Sequence, residues 1–395
     1  MGHHHAPPGL GEPSFFAHSH GLPVTATGPD ASRRAGQRLH LHGTLLPEGD
    51  LRDLWLVDGR VRTEPVPDAV TVCRDAWLVP GLVDAHCHIG LDAHGGVDRP
   101  TAGQQARTDR DAGTLLIRDA GSPVDTHWID AEPDLPRIIR AGRHIARTAR
   151  YIRNYAVEIE PDALVAEVER QARAGDGWVK LVGDWIDRSA GDLTPLWPAE
   201  VAAAAIQRAH ALGARVTAHC FGEESVHDLV RAGIDGIEHG TGLDDATIAL
   251  MADRRVALVP TLVNLENFPG FADAGEAKFP RYAAHMRALY ARRLDTIGKA
   301  IDAGVPVFAG TDAGGTIRHG RLPAEIGLLA GLAGGEYALG AASWRARAWL
   351  GAPDALAEGG WADLVVYDAD PRRDPGVTRH PRLVVLRGRV VAASG

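Results

Sequence analysis

The sequence predicts an α/β protein: a (β/α)8 TIM barrel with a small β-sandwich domain built from both chain ends. Three observations predict it. Between residues 81 and 351, short apolar strands alternate with amphipathic helices. Polar, chemistry-bearing side chains collect where those strands end. The flanking stretches, 36–80 and 352–395, read as short alternating strands with turn signals between them.

Residues 1–35 are rich in Pro, Gly, Ser and His and show no apolar period, so they are expected to be a disordered N-terminal segment. The opening Met-Gly-His-His-His lacks a basic region followed by an apolar one, which argues against a secretion signal and for a cytoplasmic protein. Alternation begins at Leu39-His-Leu-His-Gly43 and continues through Asp53 to Val61, with Asp58-Gly59 as a hairpin signal. The C-terminal runs Ala362–Asp368 and Arg382–Val391 have the same character. In the central span, candidate strands end near His88, Asp119, Ala141, Val182, His219, His239, Thr261 and Asp312. Helices are expected over 162–174, 198–212, 223–232 and 280–303; the last carries Met286, Leu289, Tyr290, Leu294, Ile297 and Ile301 at helical spacing. Gly213, Gly233 and Gly304 follow three of these helices, as C-cap chemistry requires. Eight strands alternating with helices favour a barrel over a doubly wound open sheet, and no Gly-x-Gly-x-x-Gly turn follows the first strand.

Composition narrows the function. The chain has 395 residues, a formal net charge of −9 and no basic block, which argues against a nucleic-acid surface. No apolar run reaches membrane-spanning length. The three cysteines, Cys73, Cys87 and Cys220, form no disulfide framework and read as small buried residues. Only three of the 42 basic residues are lysine: Lys180, Lys278 and Lys299. A Lys inside the apolar strand Trp178-Val-Lys-Leu-Val182 therefore calls for an explanation.

That explanation begins at Val83-Asp-Ala-His-Cys-His-Ile-Gly90. Side chains alternate faces along a strand, so His86 and His88 look one way and Cys87 the other. Barrel active sites lie at the C-terminal ends of the strands. Lys180, His219, His239 and Asp312 end or lie near the ends of four further strands, so a barrel would bring four His, one Lys and one Asp to one mouth. Singly, each has a structural reading: a hydrogen-bonded His, a helix-capping Asp, a Lys reaching for water. Together, in barrel order, they point to a shared metal site. Glu238, next to His239, is expected to face outward by alternation and to be structural.

These residues resemble the amidohydrolase superfamily. The resemblance rests on His86-x-His88, Lys180, His219, His239 and Asp312, on the lead-in Val79-Pro-Gly-Leu-Val-Asp-Ala-His86, and on the late Ala362-Asp-Leu-Val-Val-Tyr-Asp368. It runs from about Arg38 to the C-terminus and is strongest toward imidazolonepropionase and the Xaa-Pro or Xaa-Arg dipeptidases. It implies a metal-dependent hydrolase of a C–N bond with two divalent ions, Zn being the first expectation and Mn, Fe or Co fitting the same ligands. It implies that His86, His88 and Asp312 hold one ion, that His219 and His239 hold the other, and that Lys180 bridges them as a CO2-derived carbamate. The chemistry is consistent: a lysine beside dications loses its proton and can take CO2, whereas Arg can do neither. Asp312 is then both ligand and proton shuttle.

Specificity is expected on the loops after the strands. Tyr151 stands near where dipeptidase-like relatives carry a His, and Phe221 follows the His219 strand where they often carry a Tyr. Arg153 is a candidate for a substrate carboxylate and His319 for another substrate contact. The segment Leu262–Phe279, with Phe268, Phe271 and Phe279, is either a lid or an ordinary surface loop. The partner expected is a small molecule; relatives of this kind allow a homo-oligomer. Competing readings are a mononuclear zinc deaminase of a heterocycle, a lactonase or esterase, and a non-enzymatic scaffold. Retention of all six ligand residues argues against the scaffold.

Overall fold

A computed structural model describes residues 38–352 and 356–393; the expected disordered segment, 1–35, lies outside the described residues. The fold is α/β and TIM-barrel-like. Its parallel strands pair in sequence order. Leu82–Cys87 pairs with Thr114–Asp119, which pairs with Arg137–Arg140. After a break at Gly142, Ile145–Arg147 continues the third strand and pairs with Trp178–Val182. Arg215–Cys220, Gly236–His239 and Ala257–Val259 follow in order.

The eighth expected strand is irregular. Residues 305–313 bond Leu258 on one side (Leu258 N to Pro306 O, 2.8 Å) and the first strand on the other (Ala85 N to Ala309 O, 2.8 Å; Asp312 N to His86 O, 2.7 Å). Two sequence features explain why no continuous ladder forms. Pro306 has no N–H to donate. Gly310 lies so close to the first strand that a Cβ there would stand 2.7 Å from His86 N. This close approach brings Asp312 against His86 and His88.

The chain ends meet in one hydrogen-bonded sheet of seven strands. Its order is Arg389–Ala393, Leu383–Leu386, Leu364–Tyr367, Val70–Pro80, Leu39–Leu45, Asp50–Val57, Arg60–Arg62. The 11-residue strand Val70–Pro80 is the reason: it pairs with the N-terminal strand on one edge and the C-terminal strands on the other, so both ends extend one sheet. Leu41, Leu54, Leu56, Leu78, Leu364 and Val366 form its buried face.

The helices follow the sequence pattern closely: Leu164–Ala174, Ala199–Ala211, Glu223–Ala232 and Pro280–Asp302. The Leu262–Phe279 segment is mainly helical, as Leu262–Leu265 and Phe268–Glu276. Phe268 and Ala272, four apart, are buried on one face, and Pro269 sits in the first turn where it costs no hydrogen bond. No helix among the described residues is long and apolar enough to cross a membrane.

The long helix Pro280–Asp302 is tied to its neighbours by His285, whose ring nitrogens lie 2.9 Å from both Asp192 and Glu223. These carboxylates, Glu223 first, raise the His285 pKa to about 9. An unfolded chain protonates His near 6.5. The raised folded value therefore contributes stability that is complete below pH 6.5 and is lost as pH rises through about 9. His285→Ala should destabilise the protein at pH 6, and the gap to wild type should narrow by pH 10. Urea melts of both proteins at the two pH values check this; a constant gap would sink it.

Candidate active site

His86 and His88 converge with Asp312 as a consequence of local backbone geometry. Both histidines face the interior from the end of the first strand. Asp312 reaches them because the chain turns sharply there, with φ 59°. His239 and Thr261, at two other strand ends, also have left-handed backbones, with φ 69° and 48°. Three non-glycine residues in this disfavoured region at one mouth mark a site where surrounding structure holds strain in place.

The distances are short. His86 Nε2 and His88 Nε2 are 3.2 Å apart, and each is 3.0 Å from Asp312 Oδ1. His88 Nδ1 is 2.7 Å from the carbonyl oxygen of Gly121, and His86 Nδ1 is 2.7 Å from Glu238 Oε2. A carbonyl or carboxylate only accepts, so each Nδ1 carries a proton and, in the neutral form a metal ligand takes, each ring turns its Nε2 lone pair toward Asp312. Three acceptor atoms thus face one another. That arrangement is unfavourable by itself and is relieved by a cation at the focus. The outer nitrogens held by a carboxylate and a backbone carbonyl are the usual support for metal-ligating histidines. His239 adds a third imidazole, with Nδ1 2.7 Å from Thr261 Oγ1 and its ring 5.3 Å from that of His86. His86, His239 and Asp312 each offer a ligand atom within 4.8 Å of the others. The His219 ring is 4.8 Å from that of His239, and its buried Nε2 has no hydrogen-bond partner among the described residues. These donors fit divalent metal ions.

The electrostatics favour ligand forms. Burial holds His219 well below the usual imidazole range and lowers His239 to about 3. Burial also lowers Lys180, against the opposing pull of Glu238 and Asp312. Burial alone would raise Asp312, but in the metal-free site the charge and hydrogen bond of His86, followed by the hydrogen bond of His88, hold it well below the carboxylate range. Its second oxygen accepts a 2.7 Å bond from Asn264 Nδ2.

The structure corrects three sequence expectations and adds one residue. Glu238 does not face outward: it is fully buried and accepts from His86, from Arg118 Nη2 at 2.5 Å and from Thr217 Oγ1. Alternation failed because His239 leaves extended backbone, so both side chains end up inside. Arg153 is exposed and does not line the cavity. His319 lies behind the first strand, 2.7 Å from Asp109 and 3.8 Å from Cys87, and fastens the segment after Asp312 to the helix Arg99–Asp111. Tyr151 and Phe221 do line the cavity. So does His144, which the sequence reading missed. It stacks on His88 with ring centroids 4.9 Å apart, and the break after Arg140 places it at the mouth. Its signal was available: a His three residues after the candidate strand end at Ala141.

The cavity over these residues measures about 270 Å³. His88, His144, His219 and Asp312 form its polar floor, and aromatic rings form much of its wall.

Comparison with known proteins agrees with this geometry. The model of the amidohydrolase family matches residues 77–391. The chain belongs to the amidohydrolase family. An uncharacterized protein of Mycobacterium bovis is 59% identical over 360 residues, spanning 90% of this chain and 96% of its own. Ochratoxinase from Aspergillus niger is 29% identical over 177 residues, 43% of this chain and 35% of its own. Among solved structures, a prolidase complexed with N-methylphosphonate-L-proline superposes with TM-score 0.77 at 21% identity, covering 91% of this amidohydrolase and 100% of that chain. A Xaa-Pro dipeptidase with bound methionine gives 0.74 at 21%, covering 90% and 99%. The likeness to prolidase-like amidohydrolases agrees with the resemblance read from the sequence.

Proposed function

We propose that this amidohydrolase is a metal-dependent hydrolase of the C–N bond in a small-molecule amide, working from a closed eight-stranded barrel whose mouth holds two divalent ions, Zn foremost. The observation that carries the reading is the inward-facing trio His86 Nε2, His88 Nε2 and Asp312 Oδ1, 3.0–3.2 Å apart, with both imidazole Nδ1 protons already engaged. His86, His88 and Asp312 would hold one ion and His219 and His239 the other, with carboxylated Lys180 between them. When bound, such ions acidify water and polarise a carbonyl. The protein's own residues do the rest. Asp312 accepts the proton of the attacking water and passes it to the leaving amine, and Asn264 fixes the rotamer of its carboxylate. Arg118 and Thr217 hold Glu238, which orients His86. His144 and Tyr151 line the cavity where the substrate carbonyl would lie.

The test is metal content per chain by plasma mass spectrometry, on protein expressed with added Zn or Mn. About two ions per chain are expected from this donor set. About one would favour a mononuclear deaminase, which needs no carboxylated lysine. None, in folded protein, would return the scaffold reading.

A further inference from the structure

We infer that the site selects amides whose bound group is aromatic and uncharged, and discriminates against dipeptides and N-acyl amino acids that end in a free carboxylate. The inference rests on the hydrolase reading above and names its substrate class.

The argument starts from what the cavity wall offers. Tyr151, Tyr155, Trp185, Phe221, Phe271 and Tyr282 all line it. Several are fixed edge to face: Tyr151 against Trp185 at 4.8 Å and 70°, and Phe221 against the buried Phe268 at 4.6 Å and 69°. Such walls are rigid and apolar, and they complement a flat ring. Tyr155 spends its hydroxyl on the Asp92 carbonyl at 2.8 Å. The lining contains no arginine and no lysine among the described residues, and its one carboxylate is Asp312.

A free carboxylate held against this wall, away from the ions at the floor, would have to leave water with no guanidinium or ammonium to receive it. The two arginines best placed by sequence do not supply one. Arg150 is committed to Asp187 at 2.8 Å, to the Trp185 carbonyl and to Thr194. Arg153 is exposed. An unpaired buried carboxylate costs enough that affinity should drop at least about tenfold.

Two compounds isolate the carboxylate: N-acetylphenethylamine and N-acetylphenylalanine differ only by that group. Isothermal calorimetry on the full chain reconstituted with Zn, with Asp312→Asn suppressing turnover, reads their binding apart from hydrolysis. The neutral amide should bind about tenfold or more tighter. Equal affinity, a preference for the acid, or no binding of either would overturn the inference. Phe271→Arg provides a second reading, since residue 271 is only half-buried on its helix and tolerates a long side chain. That variant should narrow or reverse the preference; an unchanged ratio would place binding elsewhere and overturn the inference. Hydrolysis is followed separately by amine release. A neutral amide that binds with the expected preference and is never cleaved would defeat the hydrolase reading while leaving the selectivity standing.

Discussion

Asp312→Asn will lower turnover by about a thousandfold or more while most of the bound metal stays. The substitution is unusually clean here. Asp312 has φ 59°, and Asn is among the few residues that adopt this left-handed backbone readily, so the turn should survive. The amide oxygen can still face the Nε2 atoms of His86 and His88, which retain their own supports from Glu238 and Gly121. What is lost is the acceptor: a neutral amide cannot take a proton from water and return it to a leaving amine. The measurement pairs kcat with metal content on the same preparation. Turnover within a few-fold of wild type would remove the shuttle role from Asp312. Loss of the metal along with activity would make it chiefly a ligand.

Much of this site could be read from the sequence because barrel geometry turns a linear pattern into a location. Residues that end parallel strands share one mouth, so His86, His88, Lys180, His219, His239 and Asp312 could be grouped before any coordinates. The misreadings along the strands share one physical origin. Alternation holds only while the backbone is extended, and the site is where it stops being extended. At His239 the left-handed turn kept Glu238 inside, where it supports His86. At Gly142, also at positive φ, the third strand breaks and His144 swings onto His88. Loop residues such as Arg153 and His319 carried no periodic signal, and their positions depend on tertiary partners: His319 is placed by Asp109, some 210 residues earlier in the chain. The single sheet shared by the chain ends was partly legible. The strands were, but the long strand Val70–Pro80 that joins them on both edges gives no local sign of having two partners.

Lys180→Arg is expected to have an effect as large as that at Asp312, and by a different route. Lys180 is 1% exposed, beside Glu238 and Asp312, with Arg118 also acting on it. Burial lowers its pKa, against the pull of Glu238 and Asp312, and this favours the neutral amine needed to capture CO2. An arginine in its place stays charged, cannot form a carbamate and puts a second permanent cation near Arg118. Metal content should fall from about two ions per chain to one or none, with turnover down at least about a thousandfold. Because Arg is larger and charged, Lys180→Met provides the control for misfolding: it keeps most of the length and removes the amine. A folded Met variant that also loses metal and activity supports the bridge. Near-normal turnover with one ion in the Met variant would assign the chemistry to a single centre at His86, His88 and Asp312, and would return Lys180 to the barrel interior as a counter-charge for Glu238.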